Sequence, residues 1–412
     1  MTGSDTKTAG QRVKELRRAA GMSQSDLAAA MGRSESWVSQ VERGVQPVER
    51  LSVLQALADA LNVPVRDLRP EAAGTVEEAE PEDQTKSNDL DGLRVALTGH
   101  PALGSLFQES PTEPTPSIAD FRQQVDEAWT LVHASRYAAL SDHIAKLLPS
   151  IETAVRHAPA GDRMELHALR AKAYQVAAAS FTRQDQADAA WVAADRALQA
   201  AELAGQPLEV VASLFRMAHA FMRQQHMDQA EQAAQSAAAV MGPRTEAPAC
   251  PPEELSLFGA MNLVLAVINA REGNRGRTHE HIERARGVAA RLGEDRNDFD
   301  TEFGPTNVEI HAVSTAVELG DAGLALEVAK HVDASGLSPE RQSRFLLDVA
   351  RAHAQRRHVG EATAALMEAE TLAPEQIHDH HLAREVIRDL IQLSDPRVPE
   401  SLRNLAERSA VI

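Results

Sequence analysis

Cysteine is nearly absent: Cys250 is the only one in 412 residues. No intrachain disulfide can form, and a reducing cytoplasm fits better than a secreted setting. Aromatic residues make up 3% of the chain, and β-branched residues are sparse beside alanine, leucine, glutamate, glutamine and arginine. That balance disfavours sheet and favours helix almost throughout, so an all-α protein is expected. Long apolar runs are also missing. Met1 to Gln11 is polar and lacks the apolar core of a signal peptide, and the longest apolar-rich stretch, Leu255 to Ala270, is interrupted by Asn262 and Asn269. That stretch is too short to span a bilayer, and a soluble protein with no membrane partner is expected. No phosphate-binding glycine loop, zinc-cysteine cluster or nucleophile elbow is present, so neither catalysis nor a cofactor is expected.

Net positive charge is lacking as well, since the chain totals −18, which by itself argues against nucleic acid. The distribution changes that reading. Residues 1–70 carry ten Lys or Arg against eight Asp or Glu, whereas residues 71–120 carry two against eleven. The mildly basic head can approach phosphates, and the acidic remainder discourages indiscriminate binding. At roughly 100 to 200 residues per domain the length allows two or three units.

What is present begins near Thr8, where Val13, Leu16 and Ala20 share a helical face that stops at Gly21. Ser23 and Asp26 have the spacing of a capping box and lead into Leu27, Ala28 and Met31, with Gly32 closing the helix. Ser34 caps a third helix with Val38 and Val41 inward, which Gly44 ends, and Val48 to Leu61 and Pro64 to Leu68 supply two more. Gly21-Met-Ser-Gln24, Leu27-Ala28, Val38-Ser-Gln-Val-Glu-Arg-Gly44 and Leu57-Ala58-Asp-Ala-Leu61 together resemble the Xre, Cro and phage-repressor family. The resemblance implies a five-helix helix-turn-helix domain over residues 8–70.

Residues 71–117 read as an acidic, proline-rich linker in which Leu90 to Phe107 forms a short helix able to dock, a dimer partner being one candidate. From residue 118 to 408, helical segments open near Ile118, Asp162, Pro207, Pro252, Pro305, Pro339 and Pro374, proline being tolerated in a first helical turn. This region resembles degenerate tetratricopeptide repeats, which implies helix hairpins stacked as an α-solenoid.

In the repressor family the third helix lies in the major groove. Carried onto this sequence, Glu35, Ser36, Ser39 and Gln40 are the base-contact candidates, with Gln40 suited to adenine and Glu35 to cytosine. Gln24, Arg33, Arg43 and Lys14 are the phosphate candidates. The same resemblance implies a structural ion pair between Arg17 and Glu42, while Trp37 departs from the small residue common at its position and is expected at the core edge. A helix-turn-helix head on a repeat body is the architecture of peptide-sensing quorum regulators. Effector candidates are Asn262 and Asn269, nearly two turns apart on one face, and the polar lines Asn307, His311, Glu318 and Ser213, Arg216, Arg223. His378 and His381 share a face but do not argue for metal. The expectation is a cytoplasmic homodimeric regulator that binds double-stranded operator DNA and responds to a peptide or small molecule. An interaction adaptor or antitoxin-like scaffold with autoregulatory DNA binding is the alternative.

Overall fold

The computed structural model describes residues 9–31, 35–43, 57–58, 60–61, 63, 68, 90–98, 116–394 and 397–411. Among them there are only helices, turns and one isolated bridge between Arg296 and Phe303.

The head contains α1 (Ala9–Ala19), α2 (Gln24–Ala30) and α3 (Glu35–Glu42). Gly21, at φ +70°, lets the chain leave α1, and the Ser23 side chain accepts from the Asp26 backbone while Asp26 accepts from the Ser23 backbone. This reciprocal cap fixes the turn between the two helices. Val13, Leu27, Val38 and Val41 form the core with Leu57, Leu61 and Leu68, and Trp37 packs at its edge. The expected fourth and fifth helices lie mostly outside the described residues.

The short segment after the head becomes α4 (Asp91–Thr98). Its Leu93 and Leu97, with the preceding Leu90, are fully buried against Phe121, Leu140 and Ala193 of the same chain. The segment expected as a dimer contact is thus docked on its own body, because three leucines on one side need an apolar surface and the first hairpins supply it. Residues 99–107 of that segment lie outside the description.

The body runs through α5 (Ile118–His133), α6 (Tyr137–His157), α7 (Arg163–Arg183), α8 (Ala187–Ala204), α9 (Pro207–Arg223) and α10 (Met227–Thr245). It continues through α11 (Pro252–Arg271), α12 (Arg275–Leu292), α13 (Pro305–Glu318), α14 (Ala322–Ala329), α15 (Pro339–Gln355) and α16 (Val359–Leu372), then α17 (Pro374–Asp379), α18 (His381–Ser394) and α19 (Glu400–Arg408). The expected openings at Ile118, Pro207, Pro252, Pro305, Pro339 and Pro374 are helix starts, and Asp162 precedes the start of α7.

Successive helices pair as hairpins, and the first six hairpins turn in the same way. The second residue after the first helix has positive φ: Ser135, Asp185, Gln225, Gly273, Gly320 and Arg357. The N–H of the next residue then returns to the carbonyl five positions back, as in Gln186 to Phe181, His226 to Phe221 and Asp321 to Ala316, at 2.8–2.9 Å. This left-handed closure satisfies carbonyls that a helix end leaves open and reverses the chain in three residues. Small residues then set the hairpin spacing. The buried face of α8 is alanine alone, at positions 189, 190, 193, 194, 197, 200, 201 and 204, so its backbone can approach α7 and α9 closely.

The helix α11 is long and apolar enough to cross a membrane by length and composition, contrary to the expectation from Leu255 to Ala270. It is instead enclosed: 83% of its apolar window is buried inside the protein. Phe303 of the following loop sits on Gly259, where a Cβ would lie 2.0 Å from the ring.

Candidate functional site

The third helix is anchored from below. Arg17 of α1 donates through Nε and Nη2 to the Glu42 carboxylate, the second bond at 3.1 Å, and through Nη1 to the Met22 carbonyl at 2.6 Å. Gln24 of α2 adds a bond of 2.7 Å to the same carboxylate. Burial pushes the Glu42 carboxyl up, but Arg17 and Gln24 outweigh it and hold it below its ordinary value. One buried anion therefore ties three helices together, and the Gln24 side chain faces Glu42.

Glu35 is exposed at the start of α3, Ser39 is half-buried, and Arg43 is exposed with its Nε on the Ser39 carbonyl at 3.2 Å. Lys14 is half-buried on α1. The Ser36 side chain and all of Arg33 lie outside the described residues. Gln40 is engaged with the body: its Nε2 donates to the Gly320 carbonyl at 3.2 Å. Gly320 is the left-handed turn residue between α13 and α14, and a Cβ there would lie 2.5 Å from the Gln40 amide oxygen.

On the body, the first helices of five successive hairpins, α7, α9, α11, α13 and α15, line a cavity of about 110 Å³. Arg183, Arg223, Arg271 and Glu318 are the last residues of the first four, and Arg216, Val264 and His311 lie seven residues, nearly two turns, earlier on their helices. Equivalent positions of the repeat thus face the same space. Burial lowers the His311 pKa to about 3 and drives His219 and His380 well below the ordinary value of 6.5, so these rings are neutral. Burial and the neighbouring Arg183 lower Arg216 to about 9.

A loop closes one side. Phe299, Asp300 and Glu302 have positive φ, and the carbonyls of Phe299 and Asp300 accept from Arg216 Nη2 at 3.1 and 2.8 Å. Asp300 and Glu302 lie 3.2 and 3.5 Å from the two ring nitrogens of His133. Burial pushes that imidazole down, but the two carboxylates outweigh it and raise its pKa.

Residues 8–72 match the family model of a helix-turn-helix domain. The head is a helix-turn-helix domain. An uncharacterized HTH-type transcriptional regulator of Bacillus subtilis (strain 168), RghRB, is 29% identical over 115 residues, which cover 28% of this chain and 75% of that protein. Among solved structures, aspartyl phosphate phosphatase F from Bacillus subtilis is 14% identical with a TM-score of 0.43, over 90% of this chain and 96% of that one. A Rap protein complexed with competence and sporulation factor is 12% identical with a TM-score of 0.43, over 97% and 99%. PrgX is 9% identical with a TM-score of 0.23, again over 97% and 99%.

Behind this helix-turn-helix head, the candidates from two polar lines meet at one place. Arg216, Arg223, Asn307, His311 and Glu318 all line the cavity. Ser213 does not: it is fully buried and its hydroxyl donates to the Glu209 carbonyl. Asn262 and Asn269 are also outside the cavity walls, a correction to their expected place at an effector. Each is fully buried and donates to the carbonyl four residues back, Phe258 and Leu265, at 2.9 Å, and Asn262 Oδ1 lies 3.1 Å from His281 of α12. Back-bonding holds these short amides against their own helix, leaving them no reach across the groove. The sequence reading missed Arg183, Arg341, Arg344, His219 and His380. The first shares with Arg223 the position two residues before a hairpin turn, a spacing that shows only once the turns are located.

Proposed function

We propose that this chain is a sequence-specific, DNA-binding transcriptional regulator whose helical body binds an effector on its concave face. The observation that carries the reading is the union, in one chain, of a helix-turn-helix head and a body whose repeat positions converge on one polar-walled cavity. In DNA-bound form Glu35, Ser36, Ser39 and Gln40 face base edges, while Lys14, Arg33, Arg43 and the backbone at the start of α2, at Gln24, face phosphates. Arg17 and Glu42 keep the reading helix at its angle. The effector, a peptide or small molecule, contacts Arg216, Arg223, Asn307 and His311.

The Gln40 bond to Gly320 supplies the coupling. A side chain held by the body cannot pair with adenine, so the operator-reading state requires Gln40 to leave Gly320, and effector binding between α13 and α15 biases that release. The protein works in the cytoplasm as a homodimer, because two heads are needed to cover enough DNA for tight binding at physiological salt, on half-sites about one helical turn apart.

The test is selection of bound fragments from genomic DNA with the full chain, followed by titration of the recovered operator with and without fractionated cell extract. A shared two-fold motif whose affinity changes with one extract fraction, and no change in an Arg223→Ala, His311→Ala double variant that is still folded, is the expected result. Recovery of fragments with no common motif would overturn the regulator reading.

A further inference from the structure

The cavity gathers guanidinium groups in unequal environments, Arg223 for example lying 3.5 Å from Asp185, and the inference from this rests on the effector reading above. Six arginines, Arg183, Arg216, Arg223, Arg271, Arg341 and Arg344, line it against Glu318 and Asp348. Those two acids are already engaged by Arg351, at 2.9 and 2.8 Å. Glu340 lies behind the wall, 2.9 Å from Arg183 and 3.6 Å from Arg344.

Arg216 has a different environment. Among the described residues no carboxylate forms an ion pair with it, although it is only 4% exposed. Its guanidinium lies over Trp129 and Phe215, 4.8 and 5.0 Å from the ring centroids. Its Nη2 has only the Phe299 and Asp300 carbonyls, and its Nε has no partner. Arg341 Nε is 3.6 Å from Glu302 and lacks a hydrogen bond, and Asn307 Oδ1 is a third unpartnered polar atom, with these residues 8% and 2% exposed. Buried polar atoms are rarely left unmatched, and these three offer hydrogen bonds to a polar group placed in the cavity.

The cavity also has an apolar lining, from Met222, Leu263, Val264, Val267 and Ile310. We propose that the cavity takes a carboxylate-bearing ligand with an apolar chain, its acid group seated on Arg216 in place of the Phe299 and Asp300 carbonyls. A carboxylate makes the same bonds as those carbonyls with a full charge, and a planar guanidinium accepts it in a two-pronged arrangement. The depressed pKa of Arg216 has the matching cause, a cation buried beside other cations with too little negative charge. Trp129 and Phe215 flank the Arg216 guanidinium and apolar side chains line the cavity beside it, so an anion with an apolar chain is chosen over phosphate. Phe299 and Asp300 hold positive φ, a conformation costly for side-chain-bearing residues, which lowers the cost of displacing them. The ligand's source is either a free carboxylic acid or the C-terminus of an apolar peptide.

The test uses the full chain and calorimetry with matched probes: heptanoate against heptanamide, an apolar pentapeptide acid against the same peptide amidated, and inorganic phosphate. At least one acid should bind about tenfold or more tighter than its amide, as expected for a charge-assisted pair. Heptanoate binding names a free acid, and binding of the peptide acid alone names a peptide terminus. Arg216→Met should remove the preference for acid. Because that side chain is deeply buried, Arg344→Glu, at a site with a 42% exposed side chain, is the second variant and should weaken the acid by a similar factor. Amides binding as well as acids, phosphate binding as well as the acids, no probe binding, or both folded variants binding acid unchanged would each overturn the proposal. A neutral extract compound that shifts operator affinity through His311 sinks the acid assignment and leaves the effector reading standing. Operator affinity indifferent to every extract fraction ends the effector reading as well.

Discussion

Glu42 shows how one residue sets the geometry of the third helix. Arg17→Met leaves its buried carboxylate without its cation and should destabilise the head by about 3–5 kcal/mol, whereas adding Glu42→Leu should restore most of the loss, since an apolar pair of similar volume avoids the desolvation penalty. Chemical denaturation followed by hydrogen exchange of the α1 and α3 amides checks both. At the DNA surface, Gln40→Ala should relax preference at one operator position by about 1–3 kcal/mol, while Arg43→Ala should weaken all sequences alike and lower the salt slope by about one. An operator library in which Gln40→Ala keeps its base preference would sink the placement of α3. Capping at Ser23 and the edge position of Trp37 were legible from local sequence. The bond from Gln40 to Gly320 was not, because it joins residues 280 positions apart.

The hairpin turn is the element that makes the body regular. Four of the six left-handed turn positions are occupied by residues other than glycine, namely Ser135, Asp185, Gln225 and Arg357. That is why the helix starts were legible from proline and capping signals while the turns were hidden. A side chain in this conformation costs about 1–2 kcal/mol relative to glycine. Gln225 is exposed, so Gln225→Gly should raise stability by up to about 1 kcal/mol once glycine's extra unfolded-state freedom is subtracted. Thermal melting of the variant beside the parent checks the sign. Gly259→Ala tests the opposite limit. Its Cβ would meet the Phe303 ring at 2.0 Å, and overpacking of this kind costs about 1–3 kcal/mol or more. Proteolysis should then cut first in the loop of residues 294–304, and equal protection of that loop in variant and parent would count against this packing.

Over the whole molecule, the buried histidines dictate how stability follows pH. His219, His311 and His380 are held below the ordinary value of 6.5, so the unfolded chain binds protons that the folded chain refuses. Their contribution is complete above the unfolded value and is lost progressively as pH falls from there through the folded value. His133 runs the other way: its folded pKa is raised, and its contribution is present below the unfolded value and lost as pH rises through the folded one. His167, His281 and His353 are lowered as well, so with six against one the melting temperature should fall as pH drops from neutrality toward the carboxylate range, and His311→Asn should flatten that slope. A melting temperature that rises on acidification would contradict the assigned burial. The dimer expectation belongs to the same scale and is checked by sedimentation at micromolar concentration, where a monomer that still binds a single half-site tightly would defeat it.

Sequence by itself determined the local chemistry: the helix-turn-helix head through its caps and linked motifs, the helical class through composition, and the starts of the body's hairpins through proline in first turns. These depend on contacts within a few residues, so they survive reading along the chain. Only the tertiary structure decided which polar residues meet. Asn262 and Asn269 sit on one helix at a spacing visible in the sequence, yet they bond to their own backbone. Arg183, Arg216, Asn307 and Arg341 come from four helices and share one cavity because successive hairpins stack with their first helices facing one space. That stacking is set by side-chain packing between hairpins, and no periodicity within any single helix records it.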